Sequence, residues 1–514
     1  MSPSERSDEA FSAQDREKAR KGTALSIIGG IVLAGVRSMG FFLRAIFGGE
    51  MWGLYAIAWA LTELLAFLLL GGFNDAVVIF ASRLHHGEDE NLETLHYRSV
   101  ATIIRAPLLA SMAVATALHF YAPWLHQTLW SNHDPIIVSL VQTLAWSLPL
   151  LVLVQIPVEA TRASLRFGFA IGIVQIAFPI LSLLAALALY FTIEHSILAV
   201  AQGAIVALVF CLPASIYAYS RQFDLRQTLR SIVSAPWDRE ALSFALPQSL
   251  NMMLNQGLVR MDGLMLSFFG INANLIGIYA LVGDLTQLIR LAKMAFSGVF
   301  SPLVAKYRAQ NNRSGVLEAL DHMIRKTSSL GVLLLLAVMS VWPLFIFSQG
   351  EKWHGSRVFP WLLAAGPMMS CFFGLCGNTL LMYGRSRLLL VNALVAGALN
   401  LVLNSLFIPL WGIEGAAIAT AISNVTISVL QIVELRRFES ISLRWGFYAR
   451  TVAAGTPSIL LVFWMTTQVL EVTGDSFGQS NLQLRVLLAS VAILSYFALQ
   501  WALPGARPFG PSRK

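Results

Sequence analysis

Apolar runs of about twenty residues or more recur along the whole chain, and they settle its fold class before any motif is considered. A hydrocarbon core about 30 Å thick is crossed by roughly 20 residues rising 1.5 Å each, whereas barrel strands are about half as long and alternate in polarity. Of the 514 residues, 56% are hydrophobic and 12% charged, against about 25% charged in a soluble globular chain. Such a composition cannot cover a water-facing surface, so the sequence reads as an all-α polytopic membrane protein. Fourteen helices are predicted, at residues 22–47, 52–82, 99–122, 135–158, 167–192, 196–220, 243–270, 274–304, 324–348, 357–383, 387–411, 413–437, 446–470 and 484–504.

The location of charge gives the orientation. Residues 1–21 are polar, too long and too acidic for a signal-peptide n-region, and read as an uncleaved cytoplasmic tail. With that tail inside, alternate loops hold Arg83 and Arg98, Arg162 and Arg166, Arg221 to Arg239, Lys306 to Lys326, Arg385 and Arg387, and Arg436 to Arg450. The opposite loops hold only Lys352, Arg357 and Arg485. By the positive-inside rule both termini are then cytoplasmic, 505–514 forming the C-terminal tail. The net charge of +8 thus reports topology and does not call for nucleic acid. Trp52, Trp124, Trp130, Trp353 and Trp411 fall on the opposite side, where an indole suits the headgroup belt, and Arg44 is expected to snorkel to the headgroups there.

An internal echo divides the chain. Setting Gly53 on Gly277 aligns Tyr55 with Tyr279, Ala56 with Ala280, Leu61 with Leu285, Thr62 with Thr286 and Leu64 with Leu288. The offset spans six helices and so preserves orientation, the parallel-repeat arrangement used by alternating-access carriers. The expected organisation is an N-lobe at 22–220, a basic cytoplasmic linker at 221–242, a C-lobe at 243–437 and two appended helices within 438–504. Many glycines interrupt the helices; the Gly71-Gly72 pair in the long second helix marks either a bend or a close packing contact.

Ionised groups at membrane depth are costly, about 2.5–3.5 kcal/mol each on insertion scales, and normally face a cavity or a partner. Arg37, Glu63, Arg260, Asp262, Asp284 and Arg290 lie at that depth, with Lys293 and Arg105 deeper toward the cytoplasm and Asp75 as a further acid. Asn251, Asn255 and Asp262 share a helix face from which Arg260 is rotated by about 160°, so Asp262 is expected to be the residue turned toward a cavity. Cations outnumber acids in this set, and a positive, partly desolvated lumen attracts an anionic head group whose phosphate oxygens match arginine forks. Arg37, Arg260, Arg290, Lys293 and Arg105 are the candidate substrate contacts. Glu63, Asp262 and Asp284 are candidates for coupling to H⁺ or Na⁺, the alternative being ion pairs that hold helices together.

Other signals are weaker. His119, His126 and His133 recur every seven residues, but the intervening segment contains Pro123 and reads as a loop rather than a metal site. Cys211, Cys371 and Cys376 sit in apolar runs as packing residues, with no disulfide or zinc spacing. There is no phosphate-binding glycine loop, HExxH or nucleophile elbow, hence no catalytic machinery and no call for a bound cofactor or metal.

The run from Asn400 to Ser423, NLVLNSLFIPLWGIEGAAIATAIS, resembles a signature of the multidrug/oligosaccharidyl-lipid/polysaccharide exporter superfamily. With Arg260, Asp262 and the GIYAL run at Gly277 to Leu281, the chain resembles the polysaccharide-transporter branch, which includes O-antigen flippases. The resemblance implies two six-helix lobes in a V shape around a cationic cavity. It also implies flipping of a polyprenyl-pyrophosphate-linked oligosaccharide across the bacterial inner membrane, with membrane lipid and other inner-membrane polysaccharide-assembly proteins as partners. Many O-antigen flippases have twelve helices, whereas fourteen resembles the lipid II flippases. A lipid II flippase, a cation-coupled multidrug exporter and, in another class, a membrane glycan polymerase or ligase therefore stand as alternatives.

Overall fold

A computed structural model describes residues 40–84, 90–164, 167–193, 195–347, 358–441 and 455–464, with a few isolated positions beyond these. The described residues are helical, without strands. In chain order the helices are α1 (Gly40–Phe47), α2 (Gly49–Leu84), α3 (Glu90–Leu129), α4 (Ile136–Ala145), α5 (Ser147–Ala160), α6 (Phe167–Ala170), α7 (Phe178–Thr192), α8 (Leu198–Ser220) and α9 (Leu225–Ser234). They continue as α10 (Arg239–Phe268), α11 (Ala273–Gln287), α12 (Leu291–Ala309), α13 (Arg313–Phe347), α14 (Phe359–Met382), α15 (Ser386–Trp411) and α16 (Ile413–Glu439). A π-helical stretch, Ile171–Ala177, joins α6 to α7 just before Pro179.

Ten segments of the described residues are long and apolar enough to cross a membrane, and they correspond to the second to sixth and eighth to twelfth predicted helices. The seventh, α10, is 30 residues long but too polar in composition to be counted with them. Most of the first predicted helix, about half of the thirteenth and all but Tyr496 of the fourteenth lie outside the described residues, as does Arg37.

Packing divides the chain into two units by contact, residues 46–277 belonging to one and 38–45 with 278 onward to the other. This differs from a division at 221–242: α10, expected in the second lobe, packs along α2 within the first unit. Backbone proximity explains the grouping. A Cβ on Gly72 would come within 2.0 Å of the Ala245 carbonyl oxygen, one on Gly71 within 2.6 Å of Met252 Cβ, and one on Gly257 within 2.5 Å of Leu64 Cδ1. The Gly72 amide also donates to Ser249 Oγ at 3.0 Å. Thus α2 runs unbroken for 36 residues, and Gly71-Gly72 serves close packing and not a break in the helix. At its other end Gly53 meets Ala273, and a Cβ on Gly277 would sit 3.1 Å from Gly53 Cα. The two glycines matched by the repeat touch each other.

The interior of the first unit is built from Leu70, Phe73, Phe80, Val100, Ile103, Val152, Ile156 and Tyr219. In the second unit Trp342, Tyr279, Tyr496, Phe300 and Phe359 are the largest enclosed side chains among the described residues. Some expectations at the helix ends change. Trp124 and Trp411 are exposed as a belt requires, but Trp52 and Trp130 are buried, Trp52 because it packs beside Gly277, and Trp353 lies outside the described residues. Helix α3 continues through Pro123 to Leu129, so His119 and His126 are helical and not in a loop. Membrane-length helices tolerate proline because neighbours satisfy the freed carbonyls.

Replacing Gly72 by alanine is expected to lower stability by about 1–3 kcal/mol through overpacking, despite alanine's higher helix propensity. Gly172, whose Cβ would meet nothing within 4 Å, should tolerate alanine with a change below about 1 kcal/mol. Thermal unfolding of the purified variants in detergent checks both, and equal behaviour would contradict the close-packing role.

Candidate functional site

The embedded charges fall into one set in each unit. In the first, Arg260 on α10 reaches across to α2, where its Nε lies 2.5 Å from Glu63 Oε2; the same oxygen accepts from Trp59 Nε1 at 3.1 Å. Both charged side chains are nearly enclosed, 11% and 13% exposed, so this pair holds its attraction in a medium where Coulomb forces are weakly screened. Rotation of Arg260 away from Asn251, Asn255 and Asp262 is what brings it onto α2. Asp262 is fully buried, so it is enclosed by protein instead of lining an open face.

A second polar line runs along the same two helices. Gln248 Nε2 donates to Asp75 Oδ2 at 2.8 Å, Asn251 Nδ2 to Gln248 Oε1 at 3.3 Å, and Asn255 Nδ2 to Asn251 Oδ1 at 2.7 Å. Beside it Asn74 Nδ2 donates to Gln155 Oε1 at 3.2 Å, while the buried Oδ1 of Asn74 has no partner among the described residues. Glu159 pairs with Arg162 at 2.9 Å. Glu159 escaped the sequence reading because the predicted helix ended at 158, whereas the apolar segment extends to Ala163.

Arg105, expected among the lumen cations, is committed elsewhere. Its Nη1 donates to the Ile232 and Ala235 carbonyls at 3.2 and 3.1 Å, and its guanidinium lies 3.8 Å from the Trp237 ring centre. These contacts satisfy carbonyls at the end of α9, which a helix end cannot satisfy internally.

In the second unit Arg290 ends a 3₁₀ turn, Leu288–Arg290, between α11 and α12, and Lys293 follows on α12. Arg290 Nε is buried and has no hydrogen-bond partner among the described residues. Among the described residues, the ionisable groups that act on the two cations are Arg290 itself on Lys293 and the thiols of Cys371 and Cys376, with no carboxylate among them. Lys293 is seated against bare backbone, since a Cβ on Gly374 would lie 2.8 Å from its Nζ. Gly374 therefore leaves the room that the ammonium occupies. Asp284 is half-buried one helical stretch earlier. Arg44 is 2% exposed and so does not snorkel to headgroups.

The histidines form a structural relay: His126 Nε2 lies 3.0 Å from the His133 carbonyl, and His133 Nε2 3.1 Å from Ser267 Oγ. No group of three or more potential metal ligands is found among the described residues. His133, between two membrane segments, has its pKa held below the usual imidazole value, chiefly by desolvation and further by His126, against the opposing Ser267 contact and Glu50. A lowered folded pKa means that the unfolded chain binds the proton first, so stability is full above about pH 6.5 and declines as pH falls through the folded value. Unfolding midpoints measured from pH 8 to pH 5 should fall on acidification, and less steeply in His133→Gln. Identical slopes would contradict this.

Breaking the embedded pair has a defined signature. Glu63→Ala alone should cost about 3 kcal/mol or more by stranding the guanidinium, whereas Glu63→Ala with Arg260→Ala should recover part of the loss. The check is a double-mutant cycle on thermal unfolding, and additive losses would exclude coupling.

Comparison with known proteins follows from this architecture. No curated protein sequence matches the chain. Among solved structures, the chain is similar to lipid II flippase MurJ in its inward closed conformation, with TM-score 0.63 and 14% identity, covering 93% of this chain and 99% of that one. It is also similar to the MATE multidrug transporter DinF-BH in complex with R6G, with TM-score 0.60 and 14% identity, covering 83% and 96%. An inward-facing MATE family transporter of the MOP superfamily gives TM-score 0.55 and 15% identity over 82% and 95%. The sequence profile of a family described as polysaccharide biosynthesis protein matches residues 46–358, more than half of the chain. Together with the helical membrane architecture, these findings make the chain a member of the polysaccharide biosynthesis protein family, a multi-pass helical membrane protein with the fold shared by MurJ and the MATE transporters.

Proposed function

We propose that the protein flips a polyprenyl-pyrophosphate-linked oligosaccharide, a repeat unit of surface polysaccharide, across the bacterial inner membrane by alternating access, with both termini cytoplasmic. The observation that carries this reading is the Arg290–Lys293 pair: two half-buried cations with no carboxylate acting on them among the described residues, beside a glycine that leaves space for the ammonium. Adjacent positive charges in a partly desolvated setting are costly unless an anion completes them, and a pyrophosphate supplies both charge and acceptors for a guanidinium fork. A carrier of cationic drugs would need the opposite balance. In the first unit Arg260 is neutralised by Glu63, so Arg260 reaches cargo only by exchanging a carboxylate for a phosphate. That exchange would free Glu63 to take up H⁺ or Na⁺, which gives coupling a physical route; Asp262 and Asp284 remain the other acids proposed for it.

The lipid II flippase reading shares this chemistry. It is supported by the 93% of the chain covered in the comparison with MurJ, against 83% with the drug transporter.

Deletion of the gene is expected to accumulate one lipid-linked glycan on the cytoplasmic leaflet, whose sugar identifies the cargo; accumulation of none would refute the proposal. Arg290→Gln and Lys293→Gln should each reduce surface glycan about 10- to 100-fold, the worth of a charge-assisted hydrogen bond, with membrane levels of the protein unchanged. Loss of the protein itself would assign these cations to stability.

A further inference from the structure

The connection between α8 and α10 has two faces with different occupants. Its helix, α9, is fixed on one side by the first unit. Asp224 caps it, accepting from the Arg226 and Gln227 amides at 2.8 and 3.1 Å; the Asp224 amide in turn donates to Tyr97 Oη at 3.2 Å. Leu225 and Ile232 pack on the unit's core, and Thr228 is buried with its Oγ1 2.9 Å from Tyr219 Oη. The far end is held by Arg105 on the Ile232 and Ala235 carbonyls, by Arg98 Nη2 donating to the Trp237 carbonyl at 2.6 Å, and by Ser99 on Asp238. This anchoring leaves no freedom for α9 to roll its outer face inward.

That outer face is apolar and basic. Val233 is 85% exposed and Leu229 54%, four residues apart and hence on one stripe, with Trp237 exposed just beyond. Arg226 and Arg230 flank the stripe and are exposed, and Arg221 and Arg239 stand exposed at either end of the connection. Water does not favour such a stripe, and a soluble partner would have to be both apolar and acidic. A bilayer surface has both properties at once: a headgroup layer of phosphates above acyl chains. It is also within reach. The membrane segment Leu198–Ser220 ends four residues before α9 begins, and four residues extend at most about 14 Å, so α9 lies at headgroup depth. The last turns of α8 carry the same lipid-facing character in exposed Phe210, Ile216 and Tyr217, as does α10 in Phe244 and Leu246.

We infer that the outer face of α9 is a binding surface for acidic phospholipid: Leu229, Val233 and Trp237 enter the acyl boundary while Arg226 and Arg230 bind anionic headgroups. Its ligand is bulk bilayer lipid and is distinct from the transported cargo, so it does not depend on the proposed substrate. Arg105 is the positioning residue of this surface, since its hydrogen bonds to the Ile232 and Ala235 carbonyls hold the stripe outward.

The test is depth measurement by electron paramagnetic resonance. A spin label is placed at Val233→Cys or, as reference, at the exposed loop position Gln310→Cys, in the full chain reconstituted into phosphatidylcholine vesicles with or without phosphatidylglycerol, Cys211, Cys371 and Cys376 having been replaced by serine. The label at 233 should be more accessible to oxygen than to an aqueous nickel chelate, the reference label the reverse. Arg226→Gln with Arg230→Gln should shift the phosphatidylglycerol fraction needed for burial several-fold, each arginine at an anionic surface contributing roughly a fivefold preference. A label at 233 that stays water-accessible in every lipid would overturn the proposal and leave the face to a protein partner. Burial that ignores both lipid charge and the arginines would overturn the acidic-lipid specificity. The Arg105 clamp is untouched by the exposed substitutions at 226, 230 and 233, and unchanged thermal unfolding of the cysteine-free background confirms that the fold is kept.

Discussion

Close backbone approach between α2 and α10 is the constraint on which the rest of the first unit depends. Gly71, Gly72 and Gly257 bring the two helices together where any side chain would intervene, and at that spacing Arg260 places its guanidinium on Glu63. In lipid there is no hydrophobic drive to associate helices, so van der Waals contact at small residues and a few polar links must supply the attraction. The contact also orders the polar line from Asp75 through Gln248 to Asn255. One packing surface thereby sets both the grouping of α10 with the N-terminal helices and the electrostatics of their embedded charges.

The two units treat embedded charge differently. In the first, Arg260 has Glu63, Arg162 has Glu159, and Arg105 has carbonyls and an indole. In the second, Arg325 has Asp321 and Arg385 has Glu439, whereas Arg290 and Lys293 have, among the described residues, thiols and each other as neighbours. A balanced set stabilises an interface, whereas a surplus of cations waits for an anion; that contrast, more than the number of charged residues, argues for an acidic cargo.

How much of this was legible in the sequence follows from the range of the interactions. Membrane segments were legible because hydropathy is local, and the boundaries of α8, α14, α15 and α16 fall within a few residues of expectation. The helix through Pro123 was not, because the breaker rule assumes that a freed carbonyl meets no neighbour. Arg105 was misassigned because its partners, Ile232 and Ala235, lie 127 and 130 residues away, and nothing local announces them. Arg44 looked terminal and proved enclosed. The repeat was visible as matched residues, but contact between its two glycines is a property of the fold. Rotation on a helical wheel correctly separated Arg260 from Asp262, yet it could not tell which direction held the partner and which the protein interior.

The central claim is that half-buried positive charge at membrane depth selects a pyrophosphate-bearing lipid. It is tested most directly in proteoliposomes by following transbilayer movement of two fluorescent polyprenyl glycolipids that share one oligosaccharide, one linked through pyrophosphate and the other through a neutral ether. The account predicts protein-dependent movement of the pyrophosphate lipid alone, lost when Arg290 and Lys293 are both neutralised. Equal movement of the neutral lipid, undiminished in that variant, would contradict it.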